Sequence, residues 1–191
     1  FKLGNGSYCF PLTVSDQASR FLLLCEALEG SREAPVMEAF RRLFSERGLP
    51  NAIRSDNGLP FASPNGLYNL SRLSVWWLRQ GITIERIQPG KPQQNGRHER
   101  MHRTLKRETT RPAGDNSLQQ QGRFDAFVEE FNSERPHEAL NMRTPAQVSG
   151  PLKSLIAAYR KFPTPSTTAT SWSPPAGASA CTARRSMSLP C

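Results

Sequence analysis

Apolar and polar residues alternate near the start of the chain, with Phe10, Leu12 and Val14 on one side of the pattern. A period of two is typical of a half-buried β-strand. Turn-forming residues follow at 15–19, and a more continuous apolar run follows at 21–25. The pattern therefore predicts an antiparallel pair of strands over about residues 8 to 26.

The next segment has the spacing of an amphipathic helix. Ser31 is a candidate N-cap, and Gly48 is a candidate stop, because a glycine readily adopts the backbone conformation that ends a helix. The apolar stripe between them predicts a helix that packs on the core; its members are Val36, Phe40, Leu43 and Phe44.

Strand and helix patterns then alternate. Residues 52–56 and 82–87 read as short strands, and helical spacing between them includes Trp76 and Trp77 before Gly81. Core packing is the favoured role of the two tryptophans, ahead of stacking on bases. The order ββαβαβα, with a final helix around residues 124–131, predicts an α/β fold with a mixed sheet and antiparallel leading strands.

Basic residues are concentrated on the helix predicted over 97–108. The whole chain carries a net charge of +9 and has a pI of about 10.0, which favours a polyanionic partner such as DNA. A solubilising helix face is the simpler alternative for such a run. The cations that we predict to contact DNA are Lys91, Arg97, Arg100, Arg103, Lys106 and Arg107.

The composition changes near residue 150, so we predict one domain over 1–150 and a tail over 151–191. No acid follows Glu138, and residues 163–191 are rich in Pro, Ser, Thr and Ala. Such a stretch buries too little apolar surface to offset its ordering entropy, so the tail is expected to be largely disordered and dispensable.

The composition does not indicate a membrane-spanning or an exported protein. The chain has no apolar run of membrane-spanning length and no signal segment, so a cytoplasmic protein without a membrane partner is expected. The cysteines lack the paired spacing of zinc or redox sites and are expected to be free thiols. They are Cys9, Cys25, Cys181 and Cys191.

Two acidic residues lie at positions from which they could bind a metal ion. Asp56 ends the strand at 52–56, and Glu99 lies on the basic helix, where it shares a face with His102, Arg103 and Lys106. Two carboxylates could hold Mg²⁺, or Mn²⁺ as a substitute, for phosphodiester chemistry. Alone, each has an ordinary explanation, since Asp-Asn-Gly is common in turns and a helical Glu is usually an ion-pair partner.

Four motifs follow one another along the chain. They are Thr13-Val14-Ser15-Asp16 with Ser19-Arg20, Ser55-Asp56-Asn57-Gly58, Gly90-x-Pro92-Gln93-x-Asn95-Gly96-x-x-Glu99, and Phe131-Asn132 with Arg135-Pro136-His137-x-Ala139-Leu140 and Thr144-Pro145. Through these motifs the chain resembles the integrase core of bacterial insertion-sequence transposases over residues 1 to about 148.

The resemblance implies a ribonuclease-H-like fold and an Asp-Asp-Glu triad in which Asp56 is the second acid and Glu99 the third. It also implies Mg²⁺, cut-and-join chemistry on DNA element ends and target duplex, and a homo-oligomeric active assembly.

The sequence departs from that family at the first acid, which the resemblance places on an opening strand ahead of the hairpin. No acid precedes Asp16, and the turn around Asp16 favours capping of backbone amides or pairing with Arg20 over catalysis. The chain is therefore expected to be truncated at its start and inactive alone. A non-catalytic DNA-binding or subunit-interacting remnant and a free-standing nuclease of the same fold are the alternatives.

Overall fold

The computed structural model describes residues 1–88, 96–149 and 186–188. Strands β1 (Phe10–Asp16) and β2 (Leu22–Leu28) form an antiparallel hairpin, as the alternation predicted. Leu12 and Val14 are buried, but Thr13 between them is also fully buried. The expectation of a half-buried strand was therefore wrong, because helices cover both faces of β1.

The second half of the sheet is parallel. Strands β3 (Ala52–Ser55) and β4 (Thr83–Arg86) pair in parallel. A short strand, β5 (Ser186–Ser188), lies between β1 and β3, antiparallel to β1 and parallel to β3. The strand order is β2-β1-β5-β3-β4. Strand β5 falls in the predicted disordered tail, whereas the other residues beyond 149 lie outside the described part of the chain.

Two helices cover one face of the sheet. Helix α1 (Glu33–Arg47) and helix α2 (Arg72–Arg79) enclose a core in which Trp77 is fully buried, with its ring 5.0 Å from that of Phe40. This confirms the predicted core role of the tryptophan. Helix α1 ends at Gly48, with φ of 80°, as predicted.

The start of α1 differs from the sequence expectation. Its N-cap residue is Arg32, which makes no capping side-chain hydrogen bond, so Ser31 as the cap was wrong. The capping serine belongs instead to α2, where the Ser71 side chain accepts a hydrogen bond from the Ser74 backbone N–H.

The opposite face is covered by α3 (Gly96–Thr109) and α4 (Ser117–Ser133), and α5 (Pro145–Ser149) follows. Helices on both faces of a mixed sheet confirm the predicted α/β class.

Cys9 and Cys25 are buried free thiols, while Cys181 and Cys191 lie outside the described residues. None of the helices in the described ranges is long and apolar enough to cross a bilayer. A second core lies between the sheet and helices α3 and α4; it consists of Leu3, Cys9, Leu22, Cys25, Met101, Leu105, Phe124, Phe127 and Phe131.

Candidate DNA and metal site

Helix α3 is held to the sheet by a buried histidine. His98 is 2% exposed, and its Nε2 lies 2.9 Å from Thr13 Oγ1 while its Nδ1 lies 3.3 Å from Ser15 Oγ. Met101 and Leu105 continue the same inward face. Because both ring nitrogens are engaged by β1, the rotation of α3 about its axis is fixed, and with it the direction of every other side chain on the helix.

A cavity of about 240 Å³ lies at the carboxyl end of β3 and includes Asp56 in its wall. Asp56 Oδ1 accepts a hydrogen bond of 3.2 Å from the Gly58 N–H. Asn57 Nδ2 donates to the Ile87 carbonyl at 2.9 Å, which ties this turn to the end of β4. The Asp-Asn-Gly motif therefore serves as turn chemistry and at the same time presents a carboxylate at the strand end.

Helix α3 forms the opposite wall of this cavity through His102 and Lys106. Glu99 is half-buried in the first turn of α3. It precedes His102 by three residues and Lys106 by seven, so the three side chains share one helix face. The structure thus places Asp56 and Lys106 in the wall of one cavity, while Glu99 lies on the same face of α3 as Lys106 but is not among the residues that line the cavity. Within residues 1–88 and 96–149, no group of three or more His, Cys, Asp or Glu side chains could hold a metal ion.

Burial keeps the two α3 histidines neutral. It lowers the pKa of His98 to about 3, with His102 acting in the same direction. It lowers the pKa of His102 to about 4, with Lys106 contributing. At neutral pH the positive charge beside Asp56 therefore comes from Lys106 and not from imidazolium groups.

The predicted DNA-binding cations of α3 differ in their surroundings. Lys106 lines the Asp56 cavity, whereas Arg97 and Arg100 line a different cavity at the far end of β1. Arg103 and Arg107 are exposed, and Arg107 donates to Glu108 at 3.0 Å. Lys91, the remaining cation of that set, lies outside the described residues.

Asp16 belongs to the second cavity, not to the one containing Asp56. Its Oδ2 accepts hydrogen bonds from the Ser19 N–H at 2.9 Å and the Ser19 hydroxyl at 2.5 Å. The predicted capping role is confirmed, while pairing with Arg20 is not found among the ion pairs of the described residues.

Three further residues line the cavity that contains Asp16: Arg20, Arg135 and His137. The sequence did not assign them to a cavity, although each lies in one of the quoted motifs.

Comparison with known proteins confirms the resemblance that the motifs indicated. Residues 80–145 match the integrase core domain family. The uncharacterized 31.7 kDa protein of insertion element IS407 from Burkholderia multivorans is 30% identical over 161 residues, or 84% of this chain. The chain spans 56% of that relative's length.

Solved structures share the fold. The simian T-cell lymphotropic virus intasome, in complex with a PP2A regulatory subunit, matches with a TM-score of 0.61 and 16% identity over 91% of this chain and 57% of that one. The HTLV-2 integrase catalytic core domain in complex with magnesium, in a trimeric form, matches with a TM-score of 0.52 and 16% identity over 74% of this chain and 91% of that one.

Proposed function

We propose that this chain, which has the ribonuclease-H-like fold of an integrase catalytic core, is a transposase core that binds DNA and a divalent metal ion for phosphodiester cleavage and strand transfer. The observation that carries the proposal is the cavity shared by Asp56 and Lys106, with Glu99 on the same face of α3. A carboxylate pair beside a cation suits a metal ion and the phosphate next to it.

The donor chemistry fits Mg²⁺. This ion keeps several waters and is commonly bound through one or two carboxylates, so Asp56 and Glu99 suffice for weak binding. When bound, it would polarise a phosphoryl oxygen and stabilise the leaving oxygen. The magnesium named with the HTLV-2 core domain supports the choice of ion.

We expect Mn²⁺ to bind the chain weakly, and we expect Glu99→Gln to weaken this binding by about tenfold or more, because a neutral amide loses the charge that holds a hard cation. Titration calorimetry on the two proteins measures the difference. Glu129→Gln is the matched control, since Glu129 is an exposed acid on α4. Equal affinities for the chain and Glu99→Gln would place the metal elsewhere.

Duplex DNA is expected to bind without sequence preference across the outer face of α3. Lys106→Ala should reduce the slope of log affinity against log salt by about one, because one phosphate contact is lost. Fluorescence anisotropy over a salt series measures this slope. Arg79→Ala removes an exposed cation from α2 on the other face of the sheet and should leave the slope unchanged; matching slopes for both variants would exclude a phosphate contact at Lys106.

A non-catalytic DNA-binding module is the second candidate, favoured by the lack of a three-ligand group among the described residues. The Mn²⁺ titration separates the two functions, because the chain is expected to be inactive alone and a non-catalytic module would bind DNA without a metal site that depends on Glu99. In either case we propose that the chain works as a homo-oligomer on DNA. Support comes from the intasome and trimeric form named for the two similar structures.

A further inference from the structure

A second cavity, of about 200 Å³, lies at the end of β1 that carries Ser15 and Asp16. The Asp56 cavity lies instead beside the start of the same strand, at Phe10 and Pro11. Helix α3 separates the two: Arg97, Arg100 and Thr104 face the second cavity, whereas His102 and Lys106 face the first. The second cavity is therefore distinct from the proposed metal site.

The wall of this cavity carries an excess of positive charge. Four arginines line it, from the β1–β2 turn, from α3 and from the segment after α4; they are Arg20, Arg97, Arg100 and Arg135. Arg135 is already paired with Glu108 and Glu130, each at 2.8 Å. Within the described ranges, neither Arg20 nor Arg97 forms an ion pair. The carboxylate of the wall, Asp16, cannot balance the remaining charge.

Arg20 lies close to two other guanidinium groups. Burial lowers the pKa of Arg20, and the neighbouring Arg97 and Arg100 act in the same direction. Arg20 also has a φ of 62°, a left-handed conformation that is uncommon in residues other than glycine. The hydrogen bonds from Ser19 to Asp16 hold the turn that imposes it.

Two buried polar atoms in the wall have no hydrogen-bond partner among the described residues: Asp16 Oδ1 and His137 Nε2. Asp16 is only 4% exposed. Buried polar atoms normally have partners, and such exceptions commonly mark a ligand or ordered water. An oxyanion that accepts from the arginines, with its own hydroxyl or an ordered water donating to Asp16 Oδ1, would meet the needs of these groups together.

We propose that this cavity binds a phosphate group, whose oxygens accept hydrogen bonds from Arg20, Arg97 and Arg100. Guanidinium groups recognise phosphate through forked hydrogen bonds, and a phosphate can accept from several of them at once. The phosphate could belong to a small phosphate ester or to the DNA backbone.

The test is titration calorimetry with inorganic phosphate at constant ionic strength. Binding should weaken by about tenfold or more in the Arg20→Gln, Arg97→Gln double variant, because two forks are lost. The matched control is the Arg72→Gln, Arg79→Gln double variant, which removes two exposed arginines of α2 and should bind phosphate like the unmodified chain. Equal affinity in both double variants, or no binding by the unmodified chain, would overturn the proposal.

A single variant and a second measurement distinguish a loss of phosphate binding from a folding defect caused by Arg20→Gln. Arg97→Gln alone leaves the turn intact and should still weaken phosphate binding, while the imidazole nitrogen signals of His137 should shift on titration of the unmodified chain. Unshifted His137 signals would contradict the site. Competition with a short duplex identifies the source: displacement of phosphate indicates a backbone phosphate, and simultaneous binding indicates a small ester. Because Asp56 and Glu99 take no part, failure of the Mn²⁺ experiment would not affect this result.

Discussion

Replacement of Asn132 by leucine is expected to lower the free energy of unfolding by about 3 kcal/mol. The Asn132 side chain is 4% exposed and bonds both backbone groups of Leu22: Oδ1 accepts from its N–H at 2.8 Å, and Nδ2 donates to its carbonyl at 3.0 Å. Leucine has a similar volume but leaves both groups buried without partners. Chemical denaturation of the two proteins measures the loss.

Gln121→Leu is the matched control on the same helix. Gln121 Oε1 accepts from the Ala27 N–H at 2.8 Å, and its Nε2 donates to the Cys25 carbonyl at 2.9 Å. This side chain is only half-buried, so water can replace its bonds and the expected loss is about 1 kcal/mol. Similar small losses in both variants would mean that the Asn132 amide is not an essential partner of the strand.

These two amides explain how the edge of the sheet is closed. Strand β2 lies at the edge, where unpaired backbone groups would otherwise invite pairing with another chain. Helix α4 covers that edge with Asn132 and Gln121, which stand in for a neighbouring strand. The Phe131-Asn132 motif is therefore structural in this chain: Phe131 packs in the core, and Asn132 satisfies the strand.

The sequence predicted the elements in which the spacing of apolar residues repeats over several positions. The hairpin, α1 to α3 and the strands at 52–56 and 82–87 were found close to their predicted positions because their spacing reports burial on one face, whereas α4 begins at Ser117, well before the apolar residues that predicted it. It did not predict that Thr13 is buried, because alternation shows which side chains are polar but not what covers them. Strand β5, Ser186–Ser188, is too short and too polar to carry a period.

The candidate site was predicted in part for the same reason. Asp56 and Glu99 could be found locally, one at a strand end and one on a helix face. The division of the α3 cations between two cavities could not be predicted, because the sequence gives the angles of Arg97 and Lys106 about the helix axis but not what lies on each side of the helix. Which neighbours each angle meets depends on His98 and its bonds to Thr13 and Ser15, a contact between residues far apart in the chain.

Acidification from pH 7 to pH 5 is expected to destabilise the fold by up to about 4 kcal/mol in metal-free buffer. The pKa of His98 is about 3 and that of His102 about 4 in the folded chain, against an ordinary value near 6.5 in an unfolded one. Below pH 6.5 the two histidines therefore become protonated in the unfolded chain but stay neutral in the folded chain. Stability is fully present above pH 6.5 and falls with pH until these folded pKa values are reached, by about 1.4 kcal/mol per unit for each histidine.

The measurement is urea denaturation at pH 7, 6 and 5 in EDTA. The double variant His98→Gln, His102→Gln lacks both titrating groups, while the glutamine amide introduced in place of His98 can still bond Thr13. Its stability should therefore change far less over this range, even if it is lower at pH 7. The remaining His137 also has a pKa lowered by burial, with Arg20 and Arg135 contributing, and accounts for a residual slope. A variant that loses as much stability on acidification as the unmodified chain would show that other groups govern the pH dependence, because desolvation of the α3 histidines would then contribute nothing to it.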